Sequence, residues 1–400
     1  MHTKIGVAKS NRTNSAAAGV EAASNALING DLEKADFALI FCSGKHNPYE
    51  FLKGIQSVLG DTPVLGGSSI GIITKDFIGY EGYEVGVTVF ASETLSFKLF
   101  AQPNLNLDEK KAGELLGDQI AKSATENDNG LIVFYDSCKQ QHPPRLNFAT
   151  LLFEGLEAKL PKNICCTGAG LLADMELSST TYQFFNNEVR TQNAAAVLIG
   201  GKCSMDTTIV HGCKPASAYL TITKAEGPVI FEINNRAALE VIDELLGNNH
   251  KLEWKDFSFF VTLGVNRGEK FGVFNESDYA NRLLLAVDIS TKSLIMFEPD
   301  LKTGDEVQLM QRSVDLDYMQ IGINNMKLKL IGKKPVFSFY INCAGRAKPY
   351  AGGEFEDAEE VQKNIGNIPF MGFYCGVEVA RVKDNLQPLD WTGVLCTISE

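Results

Sequence analysis

The segment Gly67-Ser68-Ser69-Ile70-Gly71 fits G-x-S-x-G, the first place where residue types and spacing could do chemistry. On a strand–turn–helix corner such a serine becomes a nucleophile, its hydroxyl exposed above a helix N-terminus. The residues that follow, Ile72 to Gly79, carry no helical period, so a structural turn is expected instead. Gly168-Ala169-Gly170-Leu171-Leu172-Ala173 fits the G-x-G-x-x-A dinucleotide fingerprint, with Glu188 20 residues past Gly168. That fingerprint must open a helix whose N-terminus holds a pyrophosphate. Ser178 to Phe185 reads as β-type, so no nucleotide is expected there. Cys138 and Asp136 near His142 keep a Cys–His hydrolase open as an alternative, against a plain loop histidine.

The composition excludes several classes. A net charge of −12 with no basic stripe argues against a nucleic-acid partner. No apolar run approaches the roughly 20 residues that span a bilayer, so no membrane insertion is expected. Met1-His2-Thr3-Lys4-Ile5 lacks the apolar h-region of a signal peptide, and a cytoplasmic protein is expected. The nine cysteines are odd in number, scattered and mostly inside apolar runs, which reads as reduced, buried thiols. There is no CxxC pair and the five histidines are far apart, so neither a metal nor a cofactor is expected.

The elements that must position these residues repeat. Phe37 to Ser43 is a buried-strand run, followed by a helix opened by Pro48 and a strand entering the Gly66–Gly71 corner. Val85 to Phe90 closes the unit. The order recurs from Leu131, with a helix over Arg145 to Leu160, a corner at Gly168 and a closing strand Ala195 to Gly200. It recurs again from Val336, with a helix opened by Asp357 and Glu360 at capping-box spacing, a corner at Gly372 and a closing strand from Gly393. The first strand precedes its corner by 29, 37 and 36 residues (Phe37 to Gly66, Leu131 to Gly168, Val336 to Gly372), too variable for a solenoid. The expected class is mixed α/β (α+β), with repeated β-α-β-β units forming mixed sheets packed with helices. Two domains are expected, 1–225 and 228–400, joined by a linker at Lys224-Ala225-Glu226-Gly227-Pro228. Further strands are expected over Phe257–Leu263, Leu283–Val287, Leu294–Phe297 and Val307–Met310. Gly352-Gly353-Glu354-Phe355 is similar to a diguanylate cyclase signature but one residue short, and reads as coincidence.

The Gly66-Gly67-Ser68-Ser69-Ile70-Gly71 corner resembles the N-terminal domain of FIST proteins. Cys343-Ala344-Gly345-Arg346, with Ile368 to Tyr374 and Glu378, resembles the FIST C-terminal domain. Where the family's corners usually read Gly-Glu, Ile72 follows Gly71 and Val377 precedes Glu378 here. The resemblance implies an intracellular sensory protein for a small ligand such as an amino acid. Without an output domain of its own, it would signal through a separate partner such as a kinase or cyclase. Independently, an arginine can take a carboxylate and an acid an ammonium, so Arg346 and Glu378 would suit a zwitterion, or else pair with each other. Ser68 and Ser69 could orient a ligand at a corner, with Cys343 and Tyr374 beside the third. A non-binding interaction scaffold is the remaining alternative.

Overall fold

Apolar residues at successive positions of a short run call for a strand covered on both faces. In the computed structural model, Leu39 and Phe41 of Phe37–Ser43 turn into a central core. Ala38, Ile40 and Cys42 turn outward beneath the helices Ser15–Asn29 and Pro48–Leu59. The strand pairs in parallel with Val64–Ser69 and antiparallel with Val85–Ala91, which pairs with Lys4–Ser10. Residues 3–80, 82–247, 253–254, 261–313, 315–351 and 356–400 are described.

The other two units follow the same plan, which is larger than the sequence suggested. Each unit begins with an edge strand and a helix: Leu95–Pro103 with Glu109–Ser123, and Ser204–Val210 with Asp317–Lys329. The parallel pairs are Asp128–Asp136 with Cys165–Leu171 and Pro335–Cys343 with Phe370–Cys375. The helix expected over Arg145 to Leu160 is confined to Ala149–Glu157, because Arg145–Leu146 pairs back on Cys138–Gln140. The helix Asp357–Asn364 has no side-chain cap, because the Asp357 carboxylate is taken by Arg346, Tyr340 and Asn342 instead. The helices Glu109–Ser123 and Ala149–Glu157 pack on each other at glycines. A Cβ on Gly113 would lie 1.9 Å from the Leu152 carbonyl oxygen, and one on Gly155 would lie 2.1 Å from that of Lys110.

Between second and closing strands, every unit sends a hairpin out of its own sheet. The first unit's Gly71–Thr74 pairs with Phe370–Cys375 of the third. The second unit's Gln183–Phe185 pairs with Val64–Ser69 of the first, and the third unit's Val377–Val382 pairs with Cys165–Leu171 of the second. The result is three six-stranded sheets in a closed cycle. Their inner faces meet at Phe41, Phe134 and Phe339, with ring centroids 5.3 to 6.3 Å apart, and Phe373 stacks on Phe41 at 4.3 Å. The strand, rather than helix, that follows each glycine corner accords with the absence of a nucleophile elbow and a dinucleotide turn.

The third unit is interrupted between its edge strand and its helix. There the chain forms an eight-stranded antiparallel sheet in which Thr262–Asn266 pairs with both Tyr279–Asp288 and Glu306–Arg312, closing the sheet into a small barrel. The expected linker is part of it. Gly227, at φ +55°, turns a hairpin between Leu220–Glu226 and Val229–Ile233. The run expected from Phe257 begins outside the described residues, as does the Gly352–Phe355 motif. Among the described residues no helix is long and apolar enough to cross a membrane.

Phe41→Ala removes a ring that touches the other two units. It is expected to cost about 3–5 kcal/mol and to lower the denaturant midpoint of the whole chain in one transition. Loss of the first unit alone, with the other two intact, would contradict a shared core.

Candidate functional site

The parallel strand pairs end at the corners, and the third corner is built around one cation. Arg346 is 4% exposed. Its Nε and Nη2 reach Asp357 Oδ2 at 2.9 and 2.6 Å, Nη1 donates to the carbonyls of His211 and Trp391, and Nη2 also donates to the Tyr318 hydroxyl. The guanidinium is thus spent on tying the third unit together. Glu378 is fully buried, and its carboxyl accepts from Cys375 Sγ at 3.3 Å and Thr392 N at 3.2 Å. Burial pushes its pKa well above the carboxylate range. Arg346 and Glu378 therefore take separate partners, and neither faces solvent.

The remaining sequence candidates divide. The Tyr374 hydroxyl donates to Glu356. Ser68 and Ser69 are buried in the first sheet, where Ser68 exchanges hydrogen bonds with the Tyr182 backbone. Cys138 donates to the Gln140 carbonyl, Asp136 accepts from Gln183, and His142 is exposed on its loop. Cys343 alone of the six binding candidates lines a cavity.

That cavity, of 430 Å³, lies where the second unit, the third unit and the barrel meet. Its walls are mainly apolar: Leu172, Met175 and Leu177 from the second unit, Leu283 and Phe297 from the barrel, Val377 from the third. Such a size and lining are those of a small-molecule pocket. Three polar groups of the second unit line it while buried: Tyr135 at 0%, Ser137 at 3% and Asn147 at 1% exposure. Among the described residues Asn147 Oδ1 finds no hydrogen-bond partner and the Tyr135 hydroxyl and Ser137 Oγ have only each other, whereas Asn147 Nδ2 donates to the Asp136 carbonyl and to Gln192 Oε1. Only glycine fits beside them, since a Cβ at Gly170 would stand 2.2 Å from Ser137 Oγ and 2.6 Å from the Tyr135 oxygen. Arg312 forms another part of the wall, its guanidinium 3.4 Å from the Trp391 ring centroid and its Nη2 on Thr262 Oγ1.

Comparison with known proteins places this arrangement. Residues 36–236 match the FIST N domain and residues 238–381 the FIST C domain. The chain belongs to the FIST family. FIST domains are generally sensory, ligand-binding modules. An uncharacterized protein of Mycobacterium tuberculosis is 26% identical over 237 residues, 58% of this chain and 60% of that protein. One from Methanocaldococcus jannaschii is 25% identical over 54% of this chain and 42% of its own length. The matched stretch thus spans less than two thirds of these relatives. Among solved structures, a cyanuric acid hydrolase from A. caulinodans aligns over 99% of both chains at 8% identity with a TM-score of 0.37, too low to carry an argument.

In this FIST protein the barrel reaches the cavity through Glu298. Its Oε1 and Oε2 accept from the Ala149 and Thr150 amides at 3.1 and 2.9 Å, capping a helix that has no side-chain cap of its own. Burial outweighs those two bonds and pushes the carboxyl up to about 8, with Asp390 and Asp300 adding repulsion. Two bulky wall residues hold left-handed backbone, Trp391 at φ +51° and Leu177 at φ +56°. Such strain in a large side chain is a mark of functional sites. Asn147, Glu298, Arg312 and Trp391 were missed from sequence because they lie in three separate parts of the chain. The one local signal was an acid enclosed by apolar residues and proline, Met296-Phe297-Glu298-Pro299. Among the described residues no group of three or more His, Cys, Asp or Glu side chains could hold a metal ion.

Two outcomes follow from the buried charges. Arg346→Met leaves Asp357 buried without its cation, and is expected to cost on the order of 3–5 kcal/mol in urea titration. Unchanged stability with a lost ligand response would reassign Arg346 to binding. The folded value of Glu298, about 8, lies above its ordinary 4.5. The proton-linked stabilisation is therefore complete below that ordinary value and is lost as pH rises through the folded value. Glu298→Gln should flatten the fall in unfolding free energy across that window, by on the order of a few kcal/mol. Parallel pH profiles of the two proteins would refute the assignment.

Proposed function

We propose that this FIST protein is a cytoplasmic small-ligand sensor whose ligand, an amino acid or comparably small molecule, occupies the cavity between the second unit, the third unit and the barrel. It acts by changing its contacts with a separate signalling protein such as a kinase or cyclase. The observation that carries the reading is the set of under-satisfied polar atoms in an apolar cavity. Burying a hydroxyl or amide oxygen without a partner costs on the order of 1–3 kcal/mol. Asn147 Oδ1 is such a group, and beside it the Tyr135 and Ser137 hydroxyls have only each other. A bound molecule with its own polar head would satisfy them and bury its apolar body against leucine, methionine and phenylalanine. The sealed pair Arg346 and Glu378 moves from ligand contact to scaffold in this reading, and Cys343 remains a wall residue.

The position also suits a sensor. Elements from two repeats and the barrel share the wall, so occupancy alters how three parts of the chain fit together. Met175→Trp, at a half-buried wall position, fills the cavity while leaving the strands untouched. Native mass spectrometry of freshly purified protein should show a small molecule retained by the parent. In the variant its occupancy should fall about tenfold or more, with an unchanged melting temperature for the empty protein. Equal retention by both proteins would place the ligand elsewhere.

A further inference from the structure

The helix Ala149–Glu157 points its N-terminus toward the cavity wall, and a bare helix N-terminus favours an anion. Here that preference is already satisfied. The Glu298 carboxyl takes the Ala149 and Thr150 amides and itself forms part of the cavity wall. A ligand arriving at this end meets a carboxyl group instead of amides. Next to it are Asn147 Oδ1, which can only accept, and the Ser137 and Tyr135 hydroxyls, which can accept as well as donate. All three are buried; among the described residues Asn147 Oδ1 finds no partner and the two hydroxyls have only each other.

Behind the wall three acids share one cation, since the buried Arg282 guanidinium acts on Glu298, Asp390 and Asp300 alike. Asp390 and Asp300 act on Glu298 through space, and Asp300 is already bound to the buried Arg282. Asp390 accepts one backbone amide, that of Leu283, and its Oδ1 is unmatched among the described residues. The cation in the lining, Arg312, belongs to another part of the wall. Its electrostatic neighbours are Cys213, Cys343 and Arg346, whereas those of Glu298 are Thr150, Asp390, Asp300 and the buried Arg282.

Resting on the cavity reading above, we infer that the ligand enters this end with a cationic hydrogen-bond donor, an ammonium head on an apolar body, seated among Glu298, Asn147 Oδ1, Ser137 Oγ and the Tyr135 hydroxyl. An ammonium offers three donors to this acceptor-rich end and adds a positive charge where three buried acids share the single guanidinium of Arg282. A carboxylate head would face Glu298 and leave the Asn147 oxygen unmatched. A neutral hydroxyl could satisfy one acceptor but not the charge.

The test uses the full chain and two probe series matched in shape. One is 2-phenylethylamine, 2-phenylethanol and 3-phenylpropionate; the other is hexylamine, hexanol and hexanoate. Calorimetric titration at pH 8 is expected to rank amine above alcohol above acid in at least one series, with amine over acid by about tenfold or more. Glu298→Gln, checked for an intact melting transition, should lower amine affinity about tenfold and leave the alcohol nearly unchanged. Ser137→Ala, which removes only a hydroxyl, should weaken the amine by about threefold to tenfold. An acid that binds as tightly as its amine, or an amine preference that survives Glu298→Gln, overturns the ammonium assignment while leaving the cavity reading standing. Failure of all six probes to bind overturns both.

Discussion

Each of the three sheets ends on a strand whose outer hydrogen-bonding edge its own unit does not cover. An uncovered edge is an invitation to pair with another chain. Here it is met by a hairpin from the neighbouring unit, first to third, third to second and second to first. Because the donations close a ring, no unit is complete without the other two. The corner glycines follow from this requirement, since the chain must leave one sheet and enter the next while passing close to a neighbouring backbone. At Gly66 an added Cβ would fall 1.8 Å from the Ile40 carbonyl oxygen. The corners that tempt a catalytic or nucleotide reading are thus explained by strand exchange.

The same ring determines where polar groups must be buried. Where the strand Pro335–Cys343 ends, the third unit buries Arg346 and Asp357. Their bonds leave the guanidinium satisfied, the condition under which a buried pair is tolerated. The barrel attaches by a second such pair. Arg282, fully buried, binds Asp300 and donates to the Pro388 carbonyl on the third unit's hairpin. Glu298 stands apart from both pairs, because its own bonds go to amides while Arg282, which acts on it through space, is bonded to Asp300. That imbalance at a cavity wall is what separates a site from a scaffold contact in this protein.

The repeat was legible because buried strands and glycine corners leave local signatures: Phe37–Ser43, Leu131–Phe134 and Val336–Tyr340 all carry the pattern. The hairpin exchange was not, since which strand pairs with which depends on contacts between residues up to hundreds of positions apart. The Lys224–Pro228 stretch misled for a related reason: glycine and proline mark a turn, and a tight hairpin turn and a linker look alike in composition. The site was harder still. Cys343, Arg346 and Glu378 drew attention through the stretches that resemble the FIST C-terminal domain, and because an arginine with an acid would suit a zwitterion. Yet a buried charge signals a partner without saying whether that partner is protein or ligand. Asp357 was read as a helix cap, so its availability to Arg346 went unseen.

A threefold ring could in principle carry three equivalent sites, and the barrel decides why the cavity lies where it does. Inserted after Val210, it docks on the third unit's hairpin and strand end through Leu283, Asp390 and Pro388. That docking encloses the junction of the second and third units on a side where the other junctions have no such cover. At the first unit's corner, by contrast, Ser68 is paired with Tyr182 and the Ile70 amide with the Tyr374 carbonyl, so the strands close on one another. The barrel also supplies Glu298, which stops the Ala149–Glu157 helix and faces the cavity with the same carboxyl. An element that both encloses a cavity and caps a helix of another unit cannot shift without changing the helix's first turn. The insertion therefore ties the wall of the cavity at this junction to the first turn of a helix in another unit.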